Sequence, residues 1–408
     1  MMSKIFCFVV YGLLFFNGLA VGVLGGEIFR LGIIGTTTSH VPAFVNILND
    51  PNVAEPCNGF KVVAAYPGGM PDNAGSWNRV RQYADELEKQ GIPLYNTIET
   101  MLPHVDGVLL ESVDGRPHWE QAKPVINAGK PLFIDKPMAA SLADVLAIFR
   151  LAREKNVPVF SASSLRFSSG FQKARKGESP AGQVIGCDVW SPCLLNDKHP
   201  DLFWYGIHGV EILFTLMGTG CESVTRIQTD GTELVTGVWK DGRIGVFRGI
   251  RTGKAGYGAV VFGDKGIADA GSYEGYKPLV EEIARFFKTG KSPVDPQETI
   301  EIIAFMEAAE QCKTKGVPVS IDSVIREAEN RKEIIARINI LNNKTLTLNN
   351  QPVNIEELAK TLDNFLEGKP EHHVKVILSS EKDTPVEIVQ EVCNRLGKAT
   401  LADYIYHY

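Results

Sequence analysis

Glu27-Ile28-Phe29-Arg30-Leu31-Gly32-Ile33-Ile34-Gly35-Thr36-Thr37-Thr38-Ser39-His40 is the stretch that decides the fold. A short apolar run closing on glycine reads as a buried strand. Ser39 stands where an N-cap belongs, ahead of the apolar-periodic segment from Val41 to Leu48. Strand, tight turn and helix in this order are the opening of a nucleotide-binding sheet, whose turn ordinarily carries three glycines. Here only Gly35 is kept. Thr37 takes the second glycine's place and His40 the third. The helix N-terminus still offers N–H groups and a favourable dipole to an anion, and the hydroxyls of Thr36, Thr37 and Thr38 add hydrogen-bonding groups. The acid that usually ends the second strand is replaced by Tyr66-Pro67-Gly68-Gly69. Two readings stand at this point: a dinucleotide site with an altered turn, or the same scaffold without its cofactor.

The pattern continues outward. Strands are expected over Phe60 to Tyr66, Asp106 to Glu111, Pro131 to Ile134 and Val157 to Ser161. Helices are expected over Trp77 to Lys89, Pro117 to Ala128 and from Ser141, whose S-x-x-D sequence is a capping box. Alternating strands and helices specify a parallel, doubly wound sheet of the Rossmann kind. After Arg166 the strands become glycine-punctuated (Val184 to Trp190, Ser223 to Gln228, Leu234 to Trp239, Arg243 to Gly249, Tyr257 to Phe262), with helices over Tyr205 to Met217, Tyr276 to Thr289 and Glu298 to Lys315. That is an α+β domain with a mostly antiparallel sheet. From Ile334 a ββαβαβ rhythm marks a small α+β appendage. The expected boundaries are 1–26, 27–165, 166–333 and 334–408.

Lys4 followed by an apolar stretch from Ile5 to Leu24 and the small residues Gly25-Gly26 has the form of a secretory signal peptide, with an uncleaved anchor as the alternative. Export, to the periplasm, is the expected destination. The 408 residues carry a net charge of −6, which gives no reason to expect a nucleic-acid partner. The seven cysteines have no C-x-x-C and no ligand spacing, so no metal site is expected from them.

Asp106-Gly107-Val108-Leu109-Leu110, then His118, then Gly129-Lys130-Pro131-Leu132-Phe133-Ile134-Asp135-Lys136-Pro137 resembles a signature of the Gfo/Idh/MocA oxidoreductases, which usually read Glu-Lys-Pro at the last three positions. Ser161 to Phe167 sits where that family's chain enters its second domain, and Tyr205-Gly206-Ile207-His208-Gly209-Val210-Glu211 resembles its histidine-bearing helix. The resemblance covers roughly Phe29 to Ile321 and implies NAD or NADP as cofactor, a small sugar or polyol-like substrate and a homo-oligomer. It implies catalytic roles for Lys136, His208 and Asp135. Cofactor contacts would come from Gly35, Thr36, Thr37, Thr38, His40, Glu111, His118 and Lys136, and substrate contacts from Arg166, Trp204, Tyr205, His208 and Glu211. Many relatives place an aspartate where this chain has Trp204. A cofactor-free carbohydrate-binding or scaffold protein on the same fold is the competing function.

Leu346 to Val353, the helix to Phe365, Val374 to Ser379 and the Thr384–Leu396 helix resemble the periplasmic domain of ExbD/TolR proteins. That resemblance implies a protein partner for the appendage and agrees with export.

Overall fold

A computed structural model describes residues 28–70, 73–331, 333–341, 345–366, 373–381, 384–396 and 402–407. The signal-like stretch lies outside the described residues.

The first sheet is built from β1 (Phe29–Ile34), β2 (Phe60–Tyr66), β3 (Gly107–Leu110), β4 (Leu132–Asp135) and β5 (Val159–Ala162). The strands run parallel in the order β2-β1-β3-β4-β5. Every residue of β3, β4 and β5 is buried, as expected of strands covered on both faces by helices. Those helices are α1 (His40–Leu48), α2 (Ala74–Lys89), the single turn α3 (Ile98–Met101), α4 (His118–Asn127) and α5 (Leu142–Lys155). Ser141 caps α5 as its sequence foretold, accepting from the Asp144 N–H. Ser39 does not cap α1: its backbone is already helical and its side chain bonds no N–H there.

After α6 (Ser169–Arg175), the second sheet comprises β6 (Val184–Pro192), β7 (Cys221–Gln228), β8 (Thr232–Trp239), β9 (Ile244–Ile250), β10 (Gly258–Gly263), β11 (Gly266–Asp269) and β12 (Val319–Ser320). Its order is β11-β10-β6-β9-β8-β7-β12, antiparallel except for the parallel β6–β9 pair. Helices α7 (Ile207–Met217) and α9 (Pro296–Lys315) pack on it, and α10 (Ile321–Asn330) packs on α9.

Between them α8 (Lys277–Thr289) returns to the first sheet. Its apolar face, Leu279, Val280, Ile283, Phe286 and Phe287, joins the core that holds Leu31, Phe133 and Phe160. The ring of Phe286 meets that of Phe160 edge-on at 4.7 Å, a favourable aromatic geometry.

The third sheet has the order β15-β14-β13-β16-β17, with β13 (Glu333–Ile340), β14 (Leu346–Leu348), β15 (Gln351–Val353), β16 (His373–Ser380) and β17 (Ala402–His407). Helices α11 (Leu358–Leu366) and α12 (Val386–Leu396) accompany it. The short β15 was not expected from sequence. The apolar core of this unit takes in Met70, and Trp77 packs against it, so the loop after β2 and the start of α2 touch the appendage.

Candidate active site

A parallel sheet gathers its chemistry at the carboxyl ends of its strands. Lys136 follows β4 directly, Ser163 and Ser164 follow β5, and the Gly35 turn follows β1. From the second domain α7 brings His208 in its first turn, preceded by Trp204 and Tyr205. These segments enclose a cavity of about 170 Å³ lined by Thr38, Ser39, His40, Arg79, Lys136, Ser164, Trp204, Tyr205 and His208, and closed by Tyr257, Tyr273 and Tyr276. At roughly 10–15 Å³ for each water-sized position, it has room for a monosaccharide-sized molecule.

His208 shares a 2.8 Å hydrogen bond between Nδ1 and the Ser163 hydroxyl. Burial, with the nearby charges of Lys136 and His40, drives its pKa well below the ordinary histidine value, so the imidazole is neutral at neutral pH. Beneath the cavity lie two fully buried acids, Glu111 just after β3 and Asp135 at the end of β4. Burial alone would raise Asp135, but the charges of His40 and Lys136 outweigh it and hold the carboxyl at about 2. Burial and the Asp135 charge push Glu111 well above the usual carboxylate range.

The turn itself is folded inward. Gly35 has φ +88°, and a Cβ there would come within 2.4 Å of the Ser112 hydroxyl, so glycine is required. The Thr36 hydroxyl donates to the Val80 carbonyl at 2.9 Å, and the Thr37 hydroxyl accepts from the Val113 N–H at 2.8 Å. Both therefore brace the protein and do not face the cavity as the sequence suggested. The backbone N–H groups of Thr37, Thr38 and Ser39 find no acceptor among the described residues. Unpaired N–H groups at a helix start are seats for an anion, here on buried Thr37 and Thr38 and on exposed Ser39, and Arg79 on α2 lines the same cavity. The turn thus fits the phosphates of a nucleotide cofactor. The far side is more closed: the Thr36 N–H bonds the Pro67 carbonyl, Gly68 lies over Gly35, and Met70 is buried in the core of the appendage.

Sequence reasoning placed Lys136, His208, Trp204, Tyr205, Thr38 and His40 at one site, and the structure brings all six to one cavity. It takes Arg166 and Glu211 elsewhere. Arg166 is buried between Glu211 and Glu298, its Nη1 2.6 Å from Glu298, because a guanidinium enclosed in the core needs carboxylates on both sides. Glu211 is thus taken up by Arg166 and does not line the cavity as a substrate contact. His118 lies inside α4's first turn, its ring nitrogens 2.8 Å from the Ser112 carbonyl and 3.1 Å from that of Met138. It ties two loops together without lining the cavity. His199 lies 3.0 Å from buried Asp114 and packs on Trp204. Lys198 is 3.8 Å from Asp197 on the same loop. Arg79 and the three cavity tyrosines were missed, since nothing in their local sequence distinguishes them from core or surface residues. All six described cysteines are free and buried, Cys187 and Cys193 included.

Residues 29–163 match a family model described as an oxidoreductase family with an NAD-binding Rossmann fold, Gfo/Idh/MocA. Residues 300–405 match that of the biopolymer transport protein ExbD/TolR, a match that begins inside α9. An uncharacterized oxidoreductase of Synechocystis sp. is 32% identical over 94 residues, 22% of this chain and 25% of the relative. The uncharacterized oxidoreductase YhhX of Escherichia coli is 27% identical over 113 residues, 25% of this chain and 32% of the relative. The chain thus spans a quarter to a third of these curated relatives. Among solved structures, a probable dehydrogenase from Thermotoga maritima superposes with a TM-score of 0.59 at 20% identity, over 72% of this chain and 100% of the other. A myo-inositol dehydrogenase from Lactobacillus casei, in complex with NAD(H) and myo-inositol, does so with a TM-score of 0.58 at 16% identity, over 72% and 97%. At these identities the likeness is one of fold.

Proposed function

We propose, from the match of residues 29–163 to the NAD-binding Rossmann fold of the Gfo/Idh/MocA oxidoreductases, that this chain oxidises or reduces a small sugar or polyol-like substrate with NAD or NADP. The observation that carries the proposal is the meeting of Lys136 and His208, from two domains, at one cavity walled by Trp204 and tyrosines. Aromatic faces suit the C–H faces of a sugar ring.

The cofactor, held by its phosphates at the Thr37–Ser39 N–H groups and Arg79, would accept or give the hydride. In this reading the Lys136 ammonium hydrogen-bonds the reacting oxygen and fixes its place. The neutral His208 imidazole, oriented through Nδ1 by Ser163, takes the proton released as a hydroxyl becomes a carbonyl, and returns it in the reverse direction. Asp135 keeps its charge beside Lys136. We further propose that the chain works outside the cytoplasm, as a homo-oligomer, with its appendage meeting a protein partner.

The closed adenosine side, with Gly68 over Gly35 and Met70 under the appendage, favours a second reading: a carbohydrate-binding or scaffold protein that carries no dinucleotide. A titration of the protein from Glu27 onward with NAD(H) and NADP(H), by fluorescence and thermal shift, separates the two. Micromolar binding, followed by turnover of a polyol, supports the enzyme. No binding by a sample that also carries no cofactor sinks it and favours the second.

A further inference from the structure

Three buried groups from three separate segments converge beneath the cavity: His40 at the start of α1, Glu111 after β3 and Asp135 at the end of β4. One atom of each lies within 4.8 Å of the others. His40 Nδ1 is 2.9 Å from Asp135 Oδ2 and 3.9 Å from Glu111 Oε2. Yet His40 Nδ1 and all four carboxylate oxygens lack a hydrogen-bond partner. The His40–Asp135 contact has the distance of a hydrogen bond without its alignment. Among the described residues no ion pair joins Lys136 to either acid. Glu111, at zero exposure and with nothing at hydrogen-bond distance from either oxygen, is costly to keep in a core beside a second buried carboxyl.

We infer that His40, Glu111 and Asp135 form a binding site for one divalent transition-metal ion. With bonds of about 2.1 Å, the 2.9 and 3.9 Å separations subtend angles near 90° and 135° at a shared ion. One imidazole with two carboxylates suits Zn²⁺, Mn²⁺ or Fe²⁺ better than Ca²⁺ or Mg²⁺, which prefer all-oxygen sets. Asp135 supplies charge at once, and Glu111 does so as the incoming ion displaces its proton. His40 also lines the cavity, so the ion has a path in and an open side toward any hydroxyl or carboxylate held there. This inference stands apart from the oxidoreductase reading, which the nucleotide titration tests by itself.

The test uses the chelator-stripped protein from Glu27 onward, titrated with Zn²⁺ and Mn²⁺ by calorimetry. One equivalent of ion is expected to bind. Glu111→Gln and Asp135→Asn should each weaken it by at least about a hundredfold, since loss of a ligand exceeds the 10–100-fold of an outer-shell partner. Pulsed EPR of the Mn²⁺ form should show one imidazole nitrogen, lost in His40→Ala. Absence of stoichiometric binding to the unsubstituted protein overturns the inference, as does unaltered binding in folded Glu111→Gln. Should the variants fail to fold, the Mn²⁺ spectrum of the unsubstituted protein decides: no nitrogen coupling rejects the site.

Discussion

The hydroxyl of Ser163, at the exit of the first sheet, and Nδ1 of His208, on the second domain's helix, lie 2.8 Å apart. This single hydrogen bond crosses from one domain to the other at the wall of the cavity. Ser163→Ala should lower kcat about tenfold with little change in KM, while costing about 1–2 kcal/mol of stability, because the hydroxyl also accepts from the Leu165 N–H. Ser163→Thr should restore turnover. An unchanged kcat in Ser163→Ala would show that His208 needs no such orientation.

Lys136→Met should abolish turnover while leaving the fold intact by circular dichroism. It also removes a charge that holds His208 down, so the imidazole pKa, followed by NMR, should move up. Unfolded chains take up a proton on histidine below about 6.5, whereas native His208 does not. Its contribution to stability is therefore full above that pH and is lost as the pH falls. The loss should be shallower in Lys136→Met, which melting curves from pH 4 to 8 will show. Parallel curves would disprove the coupling.

Glu298 receives both Arg166 and Arg175, at 2.6 and 2.8 Å. Glu298→Gln strips the charge from a buried network and should destabilise the protein by about 3–5 kcal/mol, read by urea unfolding. A change below about 1 kcal/mol would mean that Arg166 finds another carboxylate.

Gly35→Ala forces a Cβ onto Ser112 at a positive φ. It should lower the melting temperature and abolish nucleotide binding, because the N–H groups of the following turn shift. Retained affinity would place the nucleotide elsewhere.

Removing everything after Arg331 should leave the first two sheets folded but uncover Met70 and Trp77. Tryptophan emission should shift to the red, and Trp77→Phe should remove that shift. An insoluble remainder would show that the appendage is integral to the fold.

Strand positions were legible wherever apolar runs ended in glycine or proline, and β2 fell where its sequence put it. The second sheet's alternation was equally plain, although the parallel β6–β9 pair was not, since register between distant strands leaves no local trace. At the site, Lys136 and His208 were found through a resemblance. Arg166 and Glu211 were misplaced for the same reason: resemblance locates a residue along the chain but not the carboxylates that surround it. The His40–Glu111–Asp135 cluster was invisible to ligand spacing because its members stand far apart in sequence and meet only at the strand ends. Tyr257, Tyr273 and Tyr276 reached the cavity through loops whose course no periodicity reveals.

Helix α8 puts Phe286 on Phe160 and Phe287 beside Phe29, so the oldest part of the chain is completed by one of its later helices. During synthesis the first sheet must wait, with Leu31, Phe133 and Phe160 uncovered on one face, until residue 289 has left the ribosome. The core of the first sheet is therefore completed only when α8 docks on it. A fragment ending near residue 163 would be sticky and short-lived, and the long interval before closure is the window in which a chaperone can still engage an unfinished chain.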